Sequence, residues 1–319
     1  MSRTSRTIVV LPIARRALPV LVSAGLLAYL AATIDLRAVI GHLAPDTALR
    51  FALPLALWNA ATLAIEAHCL HRVTAACGRP IARATAARIK SACYLLSLFH
   101  YAAGATALSF LLRRRMGTSL SEAASAVFVI ALLDGGSVVG MAVLAGACLP
   151  TVGTPLRSGL LLGLLAALVA GFLFLRTRRS LGPLERLREL ELLRAIRTIP
   201  SQTLAELVLL RILFVACYVG LVGGLFWAFG VEVSPVSLAL KVAVLLLISA
   251  LPIAVAGLGT AQVAFVSLFS GSASPAELLS MSILMSVALT LARALLGLAF
   301  ARELTREARE SVAQVGPER

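Results

Sequence analysis

Residues Ile248–Ser270 read ISALPIAVAGLGTAQVAFVSLFS, an apolar stretch interrupted by Pro252, Gly257 and Gly259 where a membrane-spanning helix would be continuous. Proline removes a helical hydrogen bond and glycine weakens a helix interior, so the pattern predicts a helix broken inside the bilayer. Backbone freed at that depth is tolerated only where protein or a water-filled cavity covers it. In secondary transporters such broken helices come in pairs and meet at the binding site. A second interruption is therefore expected elsewhere in the chain.

The composition supports a membrane setting. With 60% hydrophobic residues, 14% charged residues and a mean hydropathy of +0.95, the 319 residues would expose a very large apolar area as a soluble globule. Apolar runs of about 20 residues, rich in Leu and Ala with sparse aromatics, predict an all-α polytopic bundle rather than a barrel. The net charge of +14 would suggest nucleic acid in a soluble chain. Here the arginines stand at the ends of apolar runs, as orientation by the positive-inside rule requires, so membrane lipids with anionic headgroups are the expected partners and nucleic acid is not. Cys69, Cys77, Cys93, Cys148 and Cys217 form no CxxC pair and read as small apolar packing residues. No cofactor is expected: the GLG at 257–259 follows no strand and lacks the acid of a dinucleotide fingerprint.

Charge at the flanks sets the expected topology. Arg3, Arg6, Arg15 and Arg16 place the N-terminus in the cytoplasm, and a first span covers Ala17–Ile34, retained rather than cleaved as a signal peptide. A second, about 49–71, returns to the basic loop Arg72–Lys90. The stretch Ser91–Leu112 has basic residues at both ends, Arg88 and Lys90 before it and Arg113–Arg115 after it. A hairpin turning near Tyr101–Gly104 keeps both ends inside, so this stretch is expected to be re-entrant. Spans at about 122–147 and 157–175 follow, then a helical interfacial linker without a clean apolar face (181–199, within a cytoplasmic linker of about 176–203). Spans at about 205–229 and 279–300 flank the opening stretch, which enters and leaves from the outside. This gives about six full spans, two re-entrant hairpins, both termini cytoplasmic, and a single transmembrane domain over 1–319.

Gly104 and Gly257 lie 153 positions apart, and the same offset carries 49–71 onto 202–224 and 122–147 onto 275–300. The halves, about 49–147 and 204–300, have opposite expected orientation. This is an inverted repeat, with a site expected near the midplane where the broken elements meet.

At these motifs the chain resembles the flippase-like proteins related to the membrane half of lysylphosphatidylglycerol synthase. Family members resemble LPxxPGGLGxxE in the second element, where this chain reads LPIAVAGLGTAQ. Leu251, Pro252, Gly257, Leu258 and Gly259 are kept, with Val255, Ala256 and Gln262 at the Pro, Gly and Glu. The first element resembles PGxxGExxR: Gly104 remains, with His100, Ala105 and Leu108 at the Pro, the acid and the Arg, and Arg113–Arg115, Gly117 and Ser119 follow. The family's RLLD becomes ALLD, keeping Asp134 with Ala131 at the Arg. The resemblance implies a non-enzymatic protein of the cytoplasmic membrane that moves a lipid headgroup or lipid-linked molecule between leaflets. Candidate cargoes are phospholipid, polyprenyl-linked sugar and neutral isoprenoid lipid. Competing readings are a small-solute carrier and a non-transporting partner of a lipid-synthesis enzyme, and homo-oligomerisation is open.

Asp134 is the deepest charge, about 18 Å from the end of its span. Left ionised and unpaired it would cost about 2.5–3.5 kcal/mol, so a partner is expected. Arg293 in the last span is the first choice, and Arg211 ranks below it. Gly104 and Ser109 from the first element, and Gly257, Gly259 and Gln262 from the second, complete the expected substrate-binding set. Glu66, His68 and His71 share one helix end, but a metal requires a further ligand and an outer shell, so a metal there is not expected.

Overall fold

The computed structural model describes residues 41, 44–99, 101–148, 154–176, 190–250 and 259–300. The expected first span Ala17–Ile34, residues 251–258 with Pro252 and Gly257, and the C-terminal basic run from Arg302 lie outside the described residues. Within them the ordered elements are α1 (Pro45–Ala76), α2 (Arg83–Phe99), α3 (Tyr101–Met116), α4 (Leu120–Cys148), α5 (Thr154–Arg176), a 3-10 turn (Glu191–Leu193), α6 (Arg194–Thr198), α7 (Ser201–Ala228), α8 (Pro235–Ala250), α9 (Thr260–Leu268) and α10 (Pro275–Ala299).

Four of these, α1, α4, α7 and α10, are long and apolar enough to cross a membrane. They fall on the expected spans at 49–71, 122–147, 205–229 and 279–300, and α5, of 23 residues, falls on the one at 157–175. Local chemistry sets several helix starts. Proline occupies the first position of α1, α8 and α10, where its fixed φ fits and its missing N–H costs nothing. Ser119 and Ser274 accept hydrogen bonds from the N–H groups of Glu122 and Glu277, so α4 and α10 both begin with a Ser-x-x-Glu cap.

The element order repeats. Among the described residues a long helix, two short helices and a long helix occur as α1–α4 and again as α7–α10. Adding the 153-residue offset to α2 gives 236–252, against Pro235–Ala250 for α8; adding it to α4 gives 273–301, against Pro275–Ala299 for α10. The equivalent helices α1 and α7 run antiparallel. Moving back along α1, Arg72 meets Glu206, Trp58 meets Tyr218 edge-on at 6.1 Å, and Pro54 closes on Gly224.

By contact the chain forms two compact units, one of residues 1–55 and 219–288, the other of 56–218 and 289–319. In the second, α2 and α3 fold back on each other. Gly104 sits so close to Ser97 that a Cβ would stand 1.9 Å from the Ser97 Oγ, and Leu108, Leu111 and Leu112 of α3 join Ile89 and Cys93 of α2 in the core. Neither helix, at 17 and 16 residues, reaches the length of about 20 needed to cross the hydrocarbon. The described part of the segment read as a linker without a clean face, residues 190–199, is docked here. Ala195, Ile196 and Ile199 are buried in the same core, and the Ser125 hydroxyl donates to the Leu192 carbonyl at 2.9 Å and accepts from the Ala195 N–H at 2.8 Å. A serine facing the linker supplied the anchor that helical periodicity alone did not reveal.

The other unit centres on three rings. Phe226 of α7 packs on Phe265 and Phe269 at 5.8 and 4.8 Å, and the Lys241 ammonium of α8 stands 5.2 Å over Phe269.

Candidate functional site

The second unit contains a four-charge cluster in which three long apolar helices, α1, α4 and α7, meet the shorter α2. Arg211 of α7 is 2% exposed, and its Nη1 donates to Asp134 Oδ1 of α4 at 2.6 Å. The Lys90 ammonium of α2 stands 3.1 Å from Glu66 Oε1 of α1, and the Tyr94 hydroxyl one turn further along α2 donates to Glu66 Oε2. Lys90 and Glu66 lie within electrostatic range of Asp134, so the two ion pairs are neighbours in the same unit. Two carboxylates face two cations, so the cluster is neutral as a whole.

Its depth follows from helix geometry. The ends of α1 and α2 nearest the cluster are joined by residues 77–82, where His71 Nδ1 lies 2.7 Å from the Ile81 carbonyl oxygen. The starts of α4 and α7 lie at this same end, held by the linker anchor and by Glu206. At 1.5 Å per residue, Lys90 is about 10 Å, Glu66 and Arg211 about 15 Å, and Asp134 about 21 Å from that end. Removing four charges from water costs several kcal/mol per ion, which pairing offsets only with good geometry. Here the geometry is incomplete: Arg211 Nη2 is buried and makes no hydrogen bond. The Cys69 sulfur beside the guanidinium is only a weak acceptor. The Asp134 side chain, by contrast, is 33% exposed. The cluster thus has a closed side at Arg211 and an accessible side at Asp134.

Nearer the end of the unit, Glu206 is 3.1 Å from His68 Nε2 and 2.5 Å from Arg72 Nη2. These contacts tie α1 to α7 and occupy His68, one of the residues weighed for a metal. Among the described residues no three His, Cys, Asp or Glu side chains come together as a metal set.

In the other unit the interruption before α9 is visible at Gly259. Its φ of 90° is a conformation that residues with a side chain rarely adopt. Gln262, 2% exposed, accepts the Gly259 N–H through Oε1 at 2.7 Å and donates through Nε2 to Ser286 of α10 at 3.1 Å. The glutamine that stands at the family's glutamate therefore clamps the interruption to a spanning helix.

Of the expected site residues, Asp134 and Arg211 are brought into direct contact, and Gly259 and Gln262 into another cluster with Ser286. Asp134 takes Arg211 as its partner rather than Arg293, which is exposed on α10. Gly104 packs on Ser97. Ser109 is buried and spends its hydroxyl on the Ala105 carbonyl one turn back at 2.9 Å. Gly257 lies outside the described residues. Sequence reasoning missed Lys90, absorbed into the basic loop, and Tyr94. The available signal was their spacing: four residues apart on a helix, they present an ammonium and a hydroxyl on one face.

No curated protein and no solved structure matches the chain. The family described as the lysylphosphatidylglycerol synthase TM region matches residues 16–297. Covering most of the sequence, that match makes this chain a member of the lysylphosphatidylglycerol synthase transmembrane-region family, a multi-pass membrane protein of lipid metabolism or transport.

Proposed function

We propose that the chain is a non-enzymatic lipid flippase of the cytoplasmic membrane, moving a lipid or lipid-linked headgroup between leaflets. The observation that carries this reading is the Glu66–Lys90–Asp134–Arg211 cluster: charges at that depth are costly, and ionisable residues inside a membrane typically mark a transport path. An arginine with one nitrogen lacking an acceptor, next to an accessible carboxylate, suits a polar headgroup that takes the place of one partner in the pair.

The architecture supports the same reading. Two equal runs of helices, with their first members antiparallel, fit an inverted repeat. The short α2–α3 pair and the interrupted α8–α9 pair fit re-entrant hairpins entering from opposite sides. The basic residues at the α1–α2 and α3–α4 connections fit a cytoplasmic end, with both termini on that side.

Reconstitution tests it. Purified protein in liposomes should speed the exchange of fluorescent phospholipid, polyprenyl-linked or neutral isoprenoid lipid, read as the fraction exposed to a membrane-impermeant quencher. Asp134→Ala should slow the transported class at least about tenfold, the loss of one interaction worth about 1.4 kcal/mol in the rate-limiting state. Exchange of all three classes at the protein-free rate would end the transport reading and favour a non-transporting partner of a lipid-synthesis enzyme.

A further inference from the structure

Building on the transport reading, we infer that the four-charge cluster selects a zwitterionic phospholipid headgroup bearing a primary ammonium, its phosphate on Arg211 and Lys90 and its ammonium on Asp134 and Glu66. The argument begins with charge balance. Glu66 and Asp134 match Lys90 and Arg211 one for one. A purely anionic headgroup of one negative charge would give the neutral cluster one uncompensated negative charge in a poorly solvated place. A purely cationic one would strand Arg211 and Lys90. A zwitterion brings one charge of each sign, so the cluster stays neutral with it bound: the phosphate is shared by the two cations and the ammonium by the two carboxylates, which opens the cluster at the least electrostatic cost.

The hydrogen-bond inventory points the same way. Arg211 has a buried nitrogen with no acceptor, and a phosphate offers several oxygens to a guanidinium whose fork suits them. Asp134 is the accessible member, so an incoming ammonium meets it first and weakens its bond to Arg211 just where the phosphate follows. The Tyr94 hydroxyl remains on Glu66 and holds that carboxylate in place when Lys90 turns to the phosphate. Both carboxylates reward N–H donors, which a primary ammonium supplies and a trimethylated one lacks. The preferred class is therefore ethanolamine-type over choline-type, and both over glycerol-type headgroups of net negative charge.

The test separates binding from movement. Purified full-length protein in detergent is titrated with phosphatidylethanolamine, phosphatidylcholine and phosphatidylglycerol of identical acyl chains, and with soluble glycerophosphoethanolamine, reading bound lipid by native mass spectrometry and thermal protection. Phosphatidylethanolamine should bind about tenfold more tightly than phosphatidylglycerol, a difference of one decade in Kd. Phosphatidylglycerol binding as well or better in the wild-type protein overturns the inference, with no variant needed. Asp134→Asn and Glu66→Gln, near-isosteric changes that each leave the cluster with one excess positive charge, should shift preference toward phosphatidylglycerol. A folded variant with unchanged preference also overturns it. Equal protection by the soluble headgroup would overturn the lipid assignment. Selective binding without lipid movement in liposomes leaves this site standing while the transport reading fails; movement without ethanolamine preference does the reverse.

Discussion

Asp134 and Arg211 form a pair whose burial makes each side chain depend on the other. Arg211 is almost fully buried against Asp134, and removing one member of a buried ion pair leaves the other uncompensated. Arg211→Ala should therefore cost about 3–5 kcal/mol in thermal or denaturant unfolding in detergent. Arg293→Ala, on an exposed position of α10, should cost no more than about 0.5 kcal/mol. Replacing the pair by Asp134→Leu with Arg211→Met should restore most of the lost stability but not transport, because packing can substitute for an ion pair and not for a headgroup contact. Equal losses for Arg211→Ala and Arg293→Ala would contradict the observed pairing. The need for a partner was legible in the sequence, since a lone carboxylate that deep has few alternatives. Which arginine it would be was not. Position along a helix gives depth, but the direction in which a side chain leaves the helix is set by packing against neighbours, and Arg211 and Arg293 differ there. Lys90 was hidden for another reason: charge counting grouped it with Arg79, Arg83 and Arg88, although it lies far enough into α2 to reach Glu66.

At the scale of elements, the two interruptions are built from different chemistry. The first relies on close approach. A Cβ at residue 104 would stand 1.9 Å from the Ser97 Oγ and 2.9 Å from its Cβ, so Gly104→Ala should destabilise the α2–α3 pair despite a helix-propensity gain of about 1 kcal/mol. Overpacking costs about 1–3 kcal/mol and should dominate. Ser97→Ala should recover part of the loss, and a double-mutant cycle read by thermal unfolding measures the coupling; strict additivity would mean the two helices do not meet there. The second relies on backbone geometry. Gly259 at φ 90° and the Gln262 clamp to Ser286 hold the start of α9. Gly259→Val should cost at least about 1–3 kcal/mol through strain in a sparsely populated conformation, and Gln262→Glu should be tolerated worse than Gln262→Asn-type shortening predicts, because a carboxylate cannot donate to Ser286. Basic residues at both ends of Ser91–Leu112, with Gly104 between them, announced the first interruption in the sequence, and Pro252, Gly257 and Gly259 the second. The clamp was invisible, because Ser286 sits on a different helix and looks like any small polar residue in a span.

For the molecule as a whole, the repeat and the charge distribution make one joint prediction about sidedness. The antiparallel run of α1 against α7 requires that, if α1 heads toward the cytoplasm, α7 leaves it, and the arginines at the α1–α2 and α3–α4 connections choose that sense. The α2–α3 pair then begins and ends inside, and the α8–α9 pair begins and ends outside. Single cysteines at positions 80, 115, 152, 180, 234 and 273 in a cysteine-free background read this directly with a membrane-impermeant thiol reagent. Labelling from outside should reach 152, 234 and 273 and spare 80, 115 and 180. Position 115 is the decisive one. It lies in the last turn of α3, so external labelling there would mean that Ser91–Leu112 crosses the membrane, carrying Arg113–Arg115 outward against the positive-inside bias. The two halves would then no longer be opposed in orientation, and the inverted-repeat reading would fail. Protection at 115 together with exposure at 234 and 273 is the pattern the inverted repeat predicts.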